Sequence, residues 1–162
     1  MMKSSRKLWK TEKKHKGLTY GTEYGKLEKT MENGGNERMD WIPSDRIAEF
    51  SNTGVVSRQL LNPDNSSSTR VTMTEVHLAS GACQPRHTHE TSEQIWYATK
   101  GSGTLLLADD REQPFHAGDV VRFAEGDVHG LRNDGEAEFV YISVTTPPIH
   151  FGYAYRNRSE KR

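Results

Sequence analysis

Three histidines carry the clearest chemistry in the 162-residue chain: His87 and His89, two apart, and His129, forty residues further on. On an extended strand a spacing of two puts both rings on one face, and two imidazoles on one face are half of a metal site. The third follows a Glu125-Gly126-Asp127 turn. Three neutral imidazoles plus one oxygen donor suit one divalent transition metal, Fe, Ni, Zn, Mn or Cu, with positions left open for substrate or water.

After a short turn Gln94 opens the next strand, where it shares a face with Trp96 while Ile95 shares the other with Tyr97. Gln94 ligates only through its neutral carbonyl oxygen. Its neighbour Glu93 faces the opposite side and could take its place only by a register slip, and a metal held by the three histidines alone is the third arrangement. With Gln94 the ligand set is neutral, the metal stays more electrophilic and its bound water more acidic.

The elements that must position these groups read as strands. β-type runs occupy Val55–Leu61, Arg70–Leu78, Gln94–Thr99, Gly103–Ala108, Asp119–Phe123 and Phe139–Thr145. Turn clusters rich in Asn, Asp and Gly separate them, and no long helical period competes, so the pattern indicates an all-β barrel or sandwich. Pro43-Ser44-Asp45 predicts a cap ahead of a short helix from Arg46 to Phe50. Glycines at 118 and 126 supply backbone conformations other residues reach only at a cost.

Two stretches resemble the cupin motifs. The first, G-x5-H-x-H-x(3,4)-E-x6-G, matches at Gly81, His87, His89 and Gly101, with Gln94 at the glutamate position. The second, G-x5-P-x-G-x2-H-x3-N, matches at Gly118, Gly126, His129 and Asn133, with Ala124 in place of proline. The spacer is the 16 residues 102–117, and the resemblance covers roughly residues 50–147. It implies a double-stranded β-helix, that is, a jelly-roll cupin barrel, with His87, His89, Gln94 and His129 as metal ligands.

Fold alone does not set the reaction. The resemblance implies a metal-dependent enzyme on a small oxygenated organic molecule, either an Fe-type dioxygenase or a redox-neutral isomerase or lyase. The Gln-bearing set looks like that of small cupins that open unsaturated uronates and leans toward the redox-neutral side. Tyr141 and Glu93 are the candidate proton carriers. The alternative is a small-molecule-binding module without catalysis.

Other residues fill out the expected pocket. Tyr141 shares a face with Phe139 and Ser143, as a cavity residue or a core tyrosine, and Trp96 forms a wall beside the metal. Arg122 is either an anchor for a substrate carboxylate or half of an exposed ion pair. His15, His77, His116 and His150 read as structural or surface residues, with lining the barrel the alternative for His77. Cys83 reads as a small apolar filler.

Composition bounds the rest. Residues 1–38 hold ten Lys/Arg and five Glu, and residues 39–162 hold twelve and seventeen Asp/Glu, so a net of +5 balances a net of −5. The expected organisation is a basic N-terminal extension, 1–38, ahead of a barrel domain, 39–162. No nucleic-acid motif accompanies the basic residues. A single cysteine excludes an intrachain disulfide and fits a reducing compartment. No apolar run approaches membrane-spanning length. A cytoplasmic protein is expected, not bound to nucleic acid or membrane. It should be a homodimer, with Val55–Leu61 and Pro147–Tyr155 as candidate swapped or capping strands.

Overall fold

The structure, a computed structural model, describes residues 39–154 and 157–159. The basic segment 1–38 lies outside the described residues, as does His15.

The strands are β1 (Glu49–Asn52), β2 (Val55–Leu61), β3 (Thr72–Leu78), β4 (Cys83–His87), β5 (Glu93–Lys100), β6 (Ser102–Leu106), β7 (Glu112–His116), β8 (Val120–Phe123), β9 (His129–Arg132), β10 (Phe139–Thr146) and β11 (Asn157–Ser159). They form a seven-stranded sheet in the order β11-β1-β2-β3-β10-β5-β8 and a four-stranded sheet in the order β4-β9-β6-β7. Their pairings are antiparallel. This is the all-β double-stranded β-helix. No helix among the described residues is long and apolar enough to cross a membrane.

Side-chain alternation makes the barrel. In β5, Gln94, Trp96 and Ala98 are buried while Tyr97 is exposed; in β3, Thr72, Thr74, Val76 and Leu78 are buried. Inward residues of both sheets build one core around Trp96, Phe115, Phe123, Leu131, Phe139 and Tyr141. Asn133 is fully buried, and its Nδ2 donates to the carbonyls of Leu78, Ala79 and Ala137 at 2.9–3.1 Å. This residue of the second motif therefore ties the end of β3 to the β9–β10 connection and is not among the residues lining the cavity.

Several expectations need correction. No helix runs from Arg46 to Phe50: a single 3-10 turn, Ser44–Arg46, precedes β1, which pairs with β2 across a tight turn at Gly54. His77 does not line the barrel. It lies on the outer face of β3, between Glu75 at 2.7 Å and Glu138 at 3.2 Å. Strands β4 and β7, which are absent from the β-type runs read in the sequence, contain Pro85 and Pro114. Both are edge strands of the smaller sheet, where a missing N–H costs no interior ladder bond. The segment after β10 is not a strand at Phe151–Ala154 but a 3-10 helix, held to the same chain by Asn52 Nδ2 donating to the Ala154 carbonyl at 2.8 Å. Tyr155 lies outside the described residues.

Candidate metal centre

The histidines come from two neighbouring strands of the smaller sheet and the loop between the sheets. His87 ends β4, His129 opens β9, and the two are register partners. A bulge in β4 between Gln84 and His87 lets the strand bend over β9. That bend needs Gly130, where a Cβ would lie 2.7 Å from the Gln84 carbonyl oxygen and 3.0 Å from the Arg86 nitrogen. His89 follows β4, and its carbonyl accepts from the Gly126 N–H at 2.9 Å. Gly126 takes the left-handed conformation, φ 79°, which turns the chain toward His129. Asp127 closes this turn by accepting from the Ala124 N–H at 2.7 Å, a bond that a proline at 124 could not donate.

One ring nitrogen from each of His87, His89 and His129 lies within 4.8 Å of the others. His129 is 1% exposed and His89 7%. Tautomers follow from the partners, since a carbonyl only accepts. His129 Nδ1–H donates to the Asp127 carbonyl at 2.8 Å, and His87 Nδ1–H to the Pro85 carbonyl at 2.9 Å. Each ring then keeps its Nε2 lone pair for the cluster. Burial pushes the His129 imidazole down to about 4, against the pull of the Asp127 carbonyl, with the neighbouring rings lowering it further. Burial and then the His87 ring push His89 down to about 4 as well. Phe123 stacks on His129 at 4.5 Å and 13°, and Phe151 meets His89 edge-on at 5.9 Å.

Gln94 completes the cluster. The Trp96 indole can only donate, and it donates to Gln94 Oε1 at 3.0 Å; Gln94 Nε2 donates to Thr145 Oγ1 at 3.0 Å. The amide orientation is thereby fixed. Its oxygen lies 3.1 Å from His129 Nε2. Both are acceptors when His129 is neutral, so two lone pairs confront each other. His89 Nε2 is also buried, with no hydrogen-bond partner among the described residues. A cation satisfies all of these atoms at once, so the four side chains fit a divalent metal.

The cluster sits in a cavity of about 430 Å³. Val55, Val76 and Trp96 give it apolar walls; Gln84, Tyr141, Ser57, Thr74 and Ser143 give it polar ones; Phe151 and Ala154 stand in its lining. Tyr141 is inside, as its strand face implied, and its hydroxyl donates to Gln84 Oε1 at 2.6 Å. Cys83 also lines the cavity and is exposed, so it does not fill the core.

Glu93 and Arg122 are elsewhere. Glu93 alternates out of the cavity, and its carboxylate takes the Arg122 guanidinium at 2.5 Å. Neither side chain is among the residues lining the cavity. His116 is exposed, and His150 pairs with Asp64 at 2.9 Å. Sequence reasoning missed Thr145, Gln84, Phe123 and Phe151. Thr145 and Phe123 were findable by alternation along their strands; Gln84 and Phe151 enter through a bulge and a loop.

Antiparallel strands wound into two facing sheets, with a histidine cluster in the cavity between them, define a double-stranded β-helix. The family model described as "Cupin domain" matches residues 74–145, from β3 through most of β10, so this stretch is similar to the cupins. An uncharacterized protein of Methanocaldococcus jannaschii is 26% identical over 105 residues, 64% of this chain and 83% of that protein. Auxin-binding protein 1 of Arabidopsis thaliana is 31% identical over 80 residues, 44% of this chain and 40% of that protein. Among solved structures, a sugar phosphate isomerase from a cupin superfamily of Silicibacter pomeroyi superposes with a TM-score of 0.52 at 27% identity, over 58% of this chain and 60% of that one.

Proposed function

We propose that the chain is a metal-dependent enzyme performing redox-neutral isomerisation or lyase chemistry on a small oxygenated organic molecule. The observation that carries this is the convergence of three imidazoles and the Gln94 amide oxygen on one point of the cavity. His87, His89, Gln94 and His129 would hold the ion. When bound, it supplies Lewis acidity to a substrate oxygen without a carboxylate ligand to offset its charge. Phe123, Phe151 and Trp96 exclude water around the ligands. Tyr141 is the proton carrier we propose inside the cavity, its hydroxyl oriented by Gln84. The likeness to a sugar phosphate isomerase supports a redox-neutral reaction.

Metal content of the untagged chain by elemental mass spectrometry tests the reading. Near one equivalent in wild type, lost in the His87→Ala/His129→Ala double variant, is the expected result. Iron in the site directs the next assay to oxygen consumption and the dioxygenase reading. No uptake of any first-row metal sinks the proposal.

A second reading is favoured by one observation. No Asp, Glu, Lys or Arg lines the cavity among the described residues. A site without a carboxylate base suits binding as well as catalysis, and an auxin-binding protein is among the relatives. Saturable ligand binding by a metal-loaded chain with no turnover selects this reading. We also propose self-association: Tyr97 and Val120 are exposed neighbours on β5 and the edge strand β8. Light scattering tests it.

A further inference from the structure

The cavity holds two buried side-chain atoms without a hydrogen-bond partner among the described residues: His89 Nε2 and Ser143 Oγ. A metal accounts for the first. It does not account for the second, because Ser143 belongs to a different part of the wall. In the register of β10 against β5, Thr145 sits opposite Gln94 and Ser143 opposite Trp96. Ser143 is therefore two residues along the strand from the ligand end, about 7 Å. It is 4% exposed and lines the cavity. On its other side β3 places Thr74 opposite it, also buried and also lining the cavity. A buried hydroxyl left unpaired is unfavourable, and it gains its bond when a ligand oxygen or N–H reaches it.

Charge narrows the ligand further. With no charged side chain in the described lining, a carboxylate or phosphate at the Ser143 end would lose its hydration without a counter-charge. The metal is the single strong charge such a site would offer.

We propose that Ser143, flanked by Thr74, is a second anchor that receives a hydroxyl or carbonyl of the ligand. The ligand class is an oxygenated molecule that chelates the metal at one end and is polar but uncharged at the other. This inference rests on the metal-centre reading above. It departs from the sugar phosphate named for the Silicibacter pomeroyi protein, since no phosphate clamp lines this cavity.

Three probes share one metal-chelating hydroxypyranone and differ only at the far end. Pyromeconic acid bears hydrogen there, kojic acid a hydroxymethyl group and comenic acid a carboxylate. Affinities are measured by titration calorimetry on the full chain loaded with one equivalent of Ni²⁺. Kojic acid is expected to bind about five- to thirty-fold tighter than pyromeconic acid, the range for one good hydrogen bond, with comenic acid weaker than kojic acid. Ser143→Ala removes the kojic acid advantage and leaves the pyromeconic acid affinity unchanged. Its ligand-free unfolding midpoint stays at or above that of wild type, because the lost hydroxyl had no partner. Equal kojic and pyromeconic affinities in wild type overturn the proposal. So does an advantage that survives Ser143→Ala, tightest binding by comenic acid, or a midpoint that drops in the variant. Failure of the metal reading looks different: the chain takes up no Ni²⁺, or pyromeconic acid itself does not bind, and the anchor proposal then falls with it.

Discussion

His129 Nε2 and Gln94 Oε1 face each other at 3.1 Å, one from β9 and one from β5, and both are acceptors. Their confrontation depends on two outer bonds. The Asp127 carbonyl commits the other nitrogen of His129 to donation, and the Trp96 N–H selects which end of the Gln94 amide points inward. Groups that orient ligands in this way commonly matter nearly as much as the ligands.

Trp96→Phe therefore tests the orientation directly. The aromatic wall is kept and the N–H is lost. Metal affinity should fall by about ten-fold or more, read by competition with a chromogenic chelator, while the fold persists. Unchanged affinity would show that Gln94 does not ligate.

Gln94→Glu adds a negative charge to the ligand set at nearly constant shape. Metal should be held more tightly, by about ten-fold or more in the same competition, and the chelating affinity for anionic probes should drop as the ion's charge is offset. A variant that loses metal contradicts this account.

Low pH should destabilise the metal-free chain. His89 and His129 are held near 4 in the fold, chiefly by burial, while an unfolded histidine titrates near 6.5. Between those values the unfolded chain binds more protons than the folded one. The free energy of unfolding thus falls as pH drops from about 6.5 to about 4. Solvent entering the open cavity beside the rings discounts the effect to roughly 1–3 kcal/mol in total. Denaturant titrations with chelator present, at pH 7 and pH 5, check it, and equal stabilities would count against neutral buried rings.

Glu93→Gln separates the two proton carriers named from the sequence. It breaks an ion pair with Arg122 on the outer face, worth about 0–1 kcal/mol. Metal stoichiometry and turnover should be unchanged, whereas Tyr141→Phe removes the cavity hydroxyl and should lower the turnover number by about a hundred-fold or more. Loss of turnover in Glu93→Gln would reverse this assignment.

Asn133→Ala probes the motif residue that has no place in the cavity. Its amide serves three carbonyls in a fully buried position, and removing it should cost about 2–4 kcal/mol. The surviving folded protein should keep its full metal stoichiometry.

The sequence by itself determined the class of fold and the ligand candidates. They rest on the turn-separated strand pattern and the two motifs; alternation puts Gln94 with Trp96 and Tyr141 with Ser143, whereas His89 lies in the loop after β4, off any strand face. Val55–Leu61 was legible residue for residue because its β-type run is bounded by Gly54 and the Asn62-Pro63-Asp64-Asn65 turn. Strands β4 and β7 were not legible, because Pro85 and Pro114 argue against a strand until the edge position is known. Nor was the outward side of His77 or the Glu93–Arg122 pairing, since alternation says that two faces exist but not which one is covered by the other sheet.

Only the tertiary structure decided which candidates meet. The bulge in β4, the absence of a side chain at Gly130 and the turn at Gly126 bring His87 and His129 together. The Trp96 and Thr145 bonds choose the Gln94 oxygen over its nitrogen. An uncharged lining with one unpaired hydroxyl at Ser143 is likewise a property of eighteen side chains from separated segments facing one space. No single stretch of sequence specifies it, because enclosure depends on how the two sheets close over each other.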